Sequence, residues 1–194
     1  MPVKLNSSGG GSVTIDVPST ASAYTLTAPA ANATLITTGS SGQIIPKAAL
    51  PTGSVIQVVT AYLDNVTTVT SSGSFVTTSW TGTITPTSAT SKILVIISGG
   101  SIYCGTTAGV AYYATIYRNN SVNLGNATWG LERFTTPGGS HSLAPHSMMV
   151  LDSPATTSAT SYTPYFRNGG TVGQVDFNNT DRGITTMTLM EIAA

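Results

Sequence analysis

From Val13 to Ile192 the chain runs as a succession of short stretches rich in Val, Ile, Thr and Tyr, each stopped within about ten residues by Gly, Pro, Asn or Ser. Glu, Lys, Arg and Gln, the residues that favour exposed helix, are nearly absent, and Ser and Thr together make up about three residues in ten. Candidate strands run from Val55 to Leu63, Val66 to Thr70, Phe75 to Trp80, Gly82 to Thr85 and Lys92 to Ser98. Others run from Val110 to Arg118, Ser121 to Leu124, Ser147 to Asp152, Tyr162 to Phe166, Thr171 to Phe177 and Ile184 to Ile192. No segment carries a helical period. Strands this short and closely spaced predict an all-β chain whose residues 54–194 fold as an antiparallel β-sandwich head, jelly-roll-like.

The strand alternation places Tyr113, Thr115 and Tyr117 on one face and Tyr112, Ala114, Ile116 and Arg118 on the other. Ile93 to Ile97 is apolar throughout, as a strand buried on both faces would be, and Gly99-Gly100 is expected to end it. Asn119-Asn120 and Arg167-Asn168-Gly169-Gly170 read as hairpin turns. Residues 125–146 hold several Gly and Pro and read as irregular.

The first fifty residues differ from the rest. Val13 to Pro18, Tyr24 to Pro29 and Ala33 to Thr38 read as three short strands with little apolar bulk of their own. Strands of this kind are marginal alone in water. Residues 1–50 are therefore expected to form an extended docking arm or shaft, covered by identical chains or another protein. Residues 39–54, punctuated by Gly, Ser and Pro, mark the boundary.

Only 7% of residues are charged, against about 25% in an ordinary soluble domain, and the formal net charge is zero. The seven Lys and Arg stand singly, which argues against binding to nucleic acid by phosphate neutralisation. No apolar run approaches the ~20 residues of a membrane helix, so no membrane insertion is expected. Met1 to Lys4 leads into no apolar secretory segment, which disfavours a secreted carbohydrate-binding module.

The segment Val3 to Ile15, with its Ser7-Ser8-Gly9-Gly10-Gly11 run, resembles short structural proteins of tailed bacteriophages, cyanophages included. So does Tyr24-Thr25-Leu26-Thr27-Ala28-Pro29 running on to Gln43. Ile84 to Val95, Leu151 to Tyr162 and Thr188 to Ile192 are similar to head domains of the same proteins. The resemblance implies a virion location and a homotrimeric fibre or virion-surface protein, often a tail fibre, and it transfers no catalytic residue. At 194 residues the chain is short for a full fibre. It would then be a stubby fibre adhering to host surface glycan through its head, with residues 1–50 docking to other virion structural proteins. The alternative is a capsid or tail decoration protein that clamps neighbouring subunits with its arm.

Catalytic chemistry finds no support. Cys104 stands alone and reads as a small buried apolar residue beside Tyr103. His141 and His146 are five apart in a non-helical stretch and read as loop histidines rather than metal ligands. Asp176 to Gly183 has the oxygen donors of a calcium loop without its Gly and closing Glu, and reads as a polar turn. No nucleophile elbow and no carboxylate pair is present. No enzyme, cofactor or metal site is expected. The residues singled out as receptor-facing are Tyr103, Trp129, Phe134, His141 and Tyr165, all in or beside the irregular loops, where aromatic rings can stack on sugars. The competing expectation is that these rings cap the sandwich or fill a trimer seam.

Overall fold

The structure, a computed structural model, describes residues 3–6, 8–10, 12–15, 50–63, 67–69, 72–105, 110–136, 142–169, 173–178 and 183–194. The chain divides into two compact units, Met1–Ile44 and Ile45–Ala194. In the first, β1 (Val3–Asn6) and β2 (Ser12–Ile15) pair antiparallel, Val3 opposite Ile15 and Asn6 opposite Ser12. The left-handed Gly10 (φ 83°) lies between them. The expected strands at residues 24–29 and 33–38 lie outside the described residues.

The second unit carries β3 (Val55–Leu63), β4 (Thr67–Val69), β5 (Val76–Thr77), β6 (Gly82–Ile84), β7 (Lys92–Cys104) and β8 (Ala111–Arg118). There follow β9 (Val122–Asn123), β10 (Glu132–Thr135), β11 (Ser142–Asp152), β12 (Thr160–Asn168), β13 (Val175–Phe177) and β14 (Thr185–Ile192). The described residues contain no helix, and every described pairing is antiparallel.

One sheet places its long strands in the order β3-β14-β7-β11, and the other in the order β6-β12-β8-β10. Among these eight strands the chain passes from one sheet to the other between β3 and β6, β6 and β7, β7 and β8, β10 and β11, β11 and β12, and β12 and β14. This is the eight-stranded jelly roll with its two Greek keys. The short strands extend it: β13 and β4 continue alongside the far half of β7, β5 lies beside β12, and β9 lies beside β8.

The core lies between the sheets. Ile93, Val95, Ile97, Met148, Met187 and Leu189 enter from the first, and Ile84, Tyr112, Ile116, Tyr162 and Phe166 from the second, all buried. Each such side chain contributes about 1.5–3 kcal/mol of burial. Phe177 bridges to Phe166 at 5.6 Å between ring centroids.

Strand β7 does not stop at Gly99-Gly100. Both glycines have positive φ (92° and 56°) and form a bulge. Ser98 pairs with Ser147 and Gly99 with His146, whereas Ile102 pairs with Ala144, so Gly100 and Ser101 oppose the single Pro145. The extra residue flips the inward phase from Ile93, Val95 and Ile97 to Ile102 and Cys104. At the same point β7 changes neighbour from β14 to β13. A Cβ at Gly100 would run into the Thr185 hydroxyl and the Asn178 amide. Pro145 has no N–H to donate, and the bulge is where a strand tolerates that.

Two further expectations are corrected. Residues 125–146, read as irregular, contain β10 and the first half of β11. Arg167 and Asn168, expected in a hairpin turn, lie inside β12, where Asn168 pairs with Tyr112, and β13 belongs to the opposite sheet. Asn119 and Asn120 do form the tight turn read from sequence, with φ of 50° and 53°.

A partly buried ion pair ties the sheets together. Arg118 Nη1 on β8 donates to Asp152 Oδ1 at 2.8 Å and Oδ2 at 3.0 Å on β11, and the Tyr162 hydroxyl on β12 donates to Oδ2 at 2.8 Å. Asp152→Ala leaves the buried Tyr162 hydroxyl without its acceptor and removes the carboxylate that holds Arg118, which keeps only Ser153 O and solvent. It is expected to lower unfolding free energy by about 3 kcal/mol in urea titration, whereas Tyr162→Phe should cost about 1 kcal/mol.

Candidate functional site

The outer face of the second sheet concentrates aromatic rings and cations. Alternation turns Tyr113, Thr115 and Tyr117 of β8 outward, and Thr163, Tyr165 and Arg167 of β12 share that face. Register sets Tyr113 beside Arg167, Thr115 beside Tyr165 and Tyr117 beside Thr163. On the other side of β8, Arg133 of β10 lies opposite Tyr113. Tyr113 is covered from both sides: the Arg167 guanidinium lies 4.5 Å from its ring centre and that of Arg133 5.7 Å. Tyr117 stacks on Tyr165 at 4.1 Å between ring centres.

A loop over residues 124–131 lies across this face and presents Trp129. Leu124 N donates to Ile116 O and Leu131 N to Ala114 O, pinning both loop ends to β8. Asn126 Oδ1 accepts from Thr128 N and Trp129 N, both at 2.8 Å, in an Asx turn that fixes the tip. Trp129 is held rigidly yet 53% exposed, with Tyr113 5.5 Å and the Arg133 guanidinium 5.6 Å from its ring centre. Arg167 donates to Gly73 O at 3.0 Å and to Thr128 O, so it fastens this loop to the segment before β5. Between them opens a cleft of about 440 Å³ lined by Gly73, Ser74, Phe75, Tyr117, Thr128 and Arg167.

Of the residues singled out from sequence, Trp129 and Tyr165 fall on this face. Phe134 does not: it sits opposite Tyr112 in the inward phase of β10 and packs against the core. Tyr103 belongs to β7 in the other sheet, half-buried between Leu143 and Asp176 in register. His141 lies outside the described residues. Sequence reading missed Phe75, Tyr113, Tyr117, Arg133 and Arg167. The signal for the two tyrosines was present in the alternation of β8; the arginines are joined to them only by strand register.

The interior holds a separate set of titratable groups. His146 is a buried strand residue rather than the loop histidine expected. Its Nε2 lies 3.1 Å from the Thr185 hydroxyl, Nδ1 is without a partner, and burial lowers its pKa to about 4. Burial raises Glu132 to about 7, although Ser147 N donates to its Oε1, and raises the Cys104 thiol to about 11. A thiol held protonated and buried is no nucleophile. Among the described residues no group of three His, Cys, Asp or Glu is placed to hold a metal ion, and residues 179–182 of the loop compared with a calcium site lie outside the described residues. The Glu191 carboxylate is buried as well. Burial would raise its pKa, but donors from Gln57 and Thr87 outweigh that and hold it below the ordinary carboxylate value.

No protein-family profile and no curated protein matches the sequence. Solved structures with a similar arrangement include the VP2 protein of infectious bursal disease virus in T=1 particles, at 16% identity, a TM-score of 0.34, and coverage of 80% of this chain and 41% of that one. The T13 particle of the same virus matches at 13% identity and a TM-score of 0.34, covering 80% of this chain and 40% of that one. This chain thus spans about two-fifths of the length of those proteins. The jelly-roll assignment rests on the strand pairing given above.

The two shifted interior groups act in opposite directions on stability. His146, depressed from 6.5 to about 4, contributes stability that is complete above pH 6.5 and is lost as pH falls toward 4. Glu132, raised from 4.5 to about 7, favours the protonated fold and withdraws stability as pH rises from 4.5 to 7. Glu132→Gln keeps the Ser147 contact and removes the buried charge. The melting temperature of Glu132→Gln minus that of the unaltered protein is expected to be near zero at pH 4, to grow between about pH 4.5 and 7, and to level off above that in calorimetric scans.

Proposed function

We propose that this chain is a structural protein of a virus particle, a short homotrimeric fibre whose jelly-roll head adheres to anionic host-surface glycan. The observation that carries the adhesion is the aromatic and arginine-bearing face of the second sheet. Trp129 offers an exposed ring for a sugar face, and the cleft beside Tyr117 and Phe75 is open and of the size of a monosaccharide or two. Arg133 and Arg167 supply planar donors suited to a carboxylate or phosphate. Their neighbours are rings and backbone carbonyls, because the described carboxylates, Glu132, Asp152, Asp176 and Glu191, are buried or half-buried. The face therefore keeps its positive charge for a ligand.

The sequence resemblance to phage structural proteins supplies the setting. Residues 1–50 attach the fibre to other virion proteins, and three weak head sites gain through effective concentration. Adhesion needs no covalent step.

The test uses the full chain against immobilised glycans bearing carboxylate or phosphate, beside their neutral counterparts. Binding to the anionic set is expected, weakening as salt rises. Trp129→Ala and Arg133→Gln, both at exposed positions, should each weaken it about tenfold, in line with the loss of a ring stack or a charged hydrogen bond. Unaltered binding by both variants, or no binding to any anionic glycan, overturns the adhesion reading. Tight binding to purified capsid or tail subunits in its place would favour a decoration protein.

A further inference from the structure

The outer face of the first sheet has the opposite character. Register brings Val58, Met190, Leu94 and Leu151 into one row across β3, β14, β7 and β11. The next row reads Thr60, Thr188, Ile96 and Met149. Beyond it lie Tyr62 and the small hydroxyl residues Thr186, Ser98 and Ser147. These side chains point away from the core, since Ile93, Val95, Ile97, Met187 and Leu189 occupy the inward phase of the same strands. Tyr62 is 69% exposed, Met149 64%, Val58 54% and Leu151 53%. Lys92, at one end beside Ile192, is the charge that borders the rows. A monomer rarely leaves so continuous an apolar patch in water.

We infer that copies of this chain pack against one another through this face. Three properties select a second copy as the occupant. The rows contain no charge, so a partner chosen by charge complementarity gains nothing there, while like faces meet without repulsion and the chain's net charge is zero. The large side chains Met190, Leu94, Leu151 and Met149 form a contiguous ridge beside the smaller Thr186, Ser98 and Ser147, so the ridge of one copy can seat on the Thr and Ser row of the next in a head-to-tail contact that a threefold ring can close. Four strands by three rows also cover roughly 400 Å² in plan at ordinary strand spacings. The relief of the side chains brings that toward the ~800 Å² each partner gives to a standard interface. This rests on the assembly part of the function proposed above and assigns its seam: the apolar sheet faces its sister copies, and the glycan-binding sheet faces outward.

The full chain is measured by light scattering coupled to size exclusion, beside the double variant Met149→Lys, Leu151→Lys. The native chain is expected at a multiple of its 19.8 kDa, and the variant at that mass itself with an unchanged far-ultraviolet spectrum. Should the variant misfold, the thiol of Thr188→Cys gives a second readout. Cys104 is buried and stays silent, so maleimide should label Thr188→Cys at least tenfold more slowly than Ser158→Cys on an exposed loop. An oligomer whose mass ignores the lysines and whose Thr188→Cys thiol labels freely overturns this seam while leaving the trimeric fibre standing. A monomeric native chain overturns both.

Discussion

The pairing of β7 along both of its edges is the constraint on which the head depends. One edge carries β11 along nearly its whole length, and the other carries first β14 and then β13. That change of neighbour needs one extra residue and a turn of phase, and Gly99-Gly100 supplies both through two positive φ angles. Without the bulge the inward row Ile93, Val95, Ile97 would continue on odd positions, placing Tyr103 in the core and Ile102 and Cys104 outside. The bulge therefore decides which residues fill the interior beneath β13 as well as the path of the strand.

Charge is distributed by the same economy of interior space. Three of the four described carboxylates, Asp152, Glu191 and Glu132, serve as internal fasteners. Asp152 joins β11 to β8 and β12 through Arg118 and Tyr162. Glu191 holds the end of β14 to the turn after β6 through Thr87, and to β3 through Gln57. Glu132 of β10 meets the backbone of β11. Each acts across a junction where the chain crosses from one sheet to the other or where two segments distant in sequence abut. Among the described residues the outer sheet faces therefore carry no exposed carboxylate. One is left apolar and the other keeps two arginines over aromatic rings.

Much of the fold was legible because the strands announce themselves. Val55 to Leu63, Lys92 to Ser98, Val110 to Arg118 and Ile184 to Ile192 combine β-branched residues with clear punctuation, and each falls inside or nearly coincides with an observed strand. The failures have a common cause. Gly99-Gly100, Pro145 and Asn168 are residues that ordinarily end strands, yet each sits within one. Local propensity was overridden by pairing with partners remote in sequence. The site was half legible for a related reason. A ring such as Trp129 in a turn declares exposure, and alternation in β8 sorts Tyr113 from Tyr112. The union of Tyr113 with Arg133 and Arg167 depends on register between strands, which no single segment encodes.

Two outer faces of unlike chemistry on one sandwich also explain how so weakly charged a chain can exist outside an aggregate. An apolar sheet face in water is an aggregation hazard, and exposed edge strands add to it. Burying that face against sister copies removes most of the hazard at once. In the proposed assembly the apolar rows turn inward, and the sheet face carrying Arg133 and Arg167 is the one left outward. The aromatic face must then meet solvent in every copy. Four backbone hydrogen bonds and an Asx turn define the loop that leaves Trp129 exposed, and this is the feature from which the adhesion proposal starts.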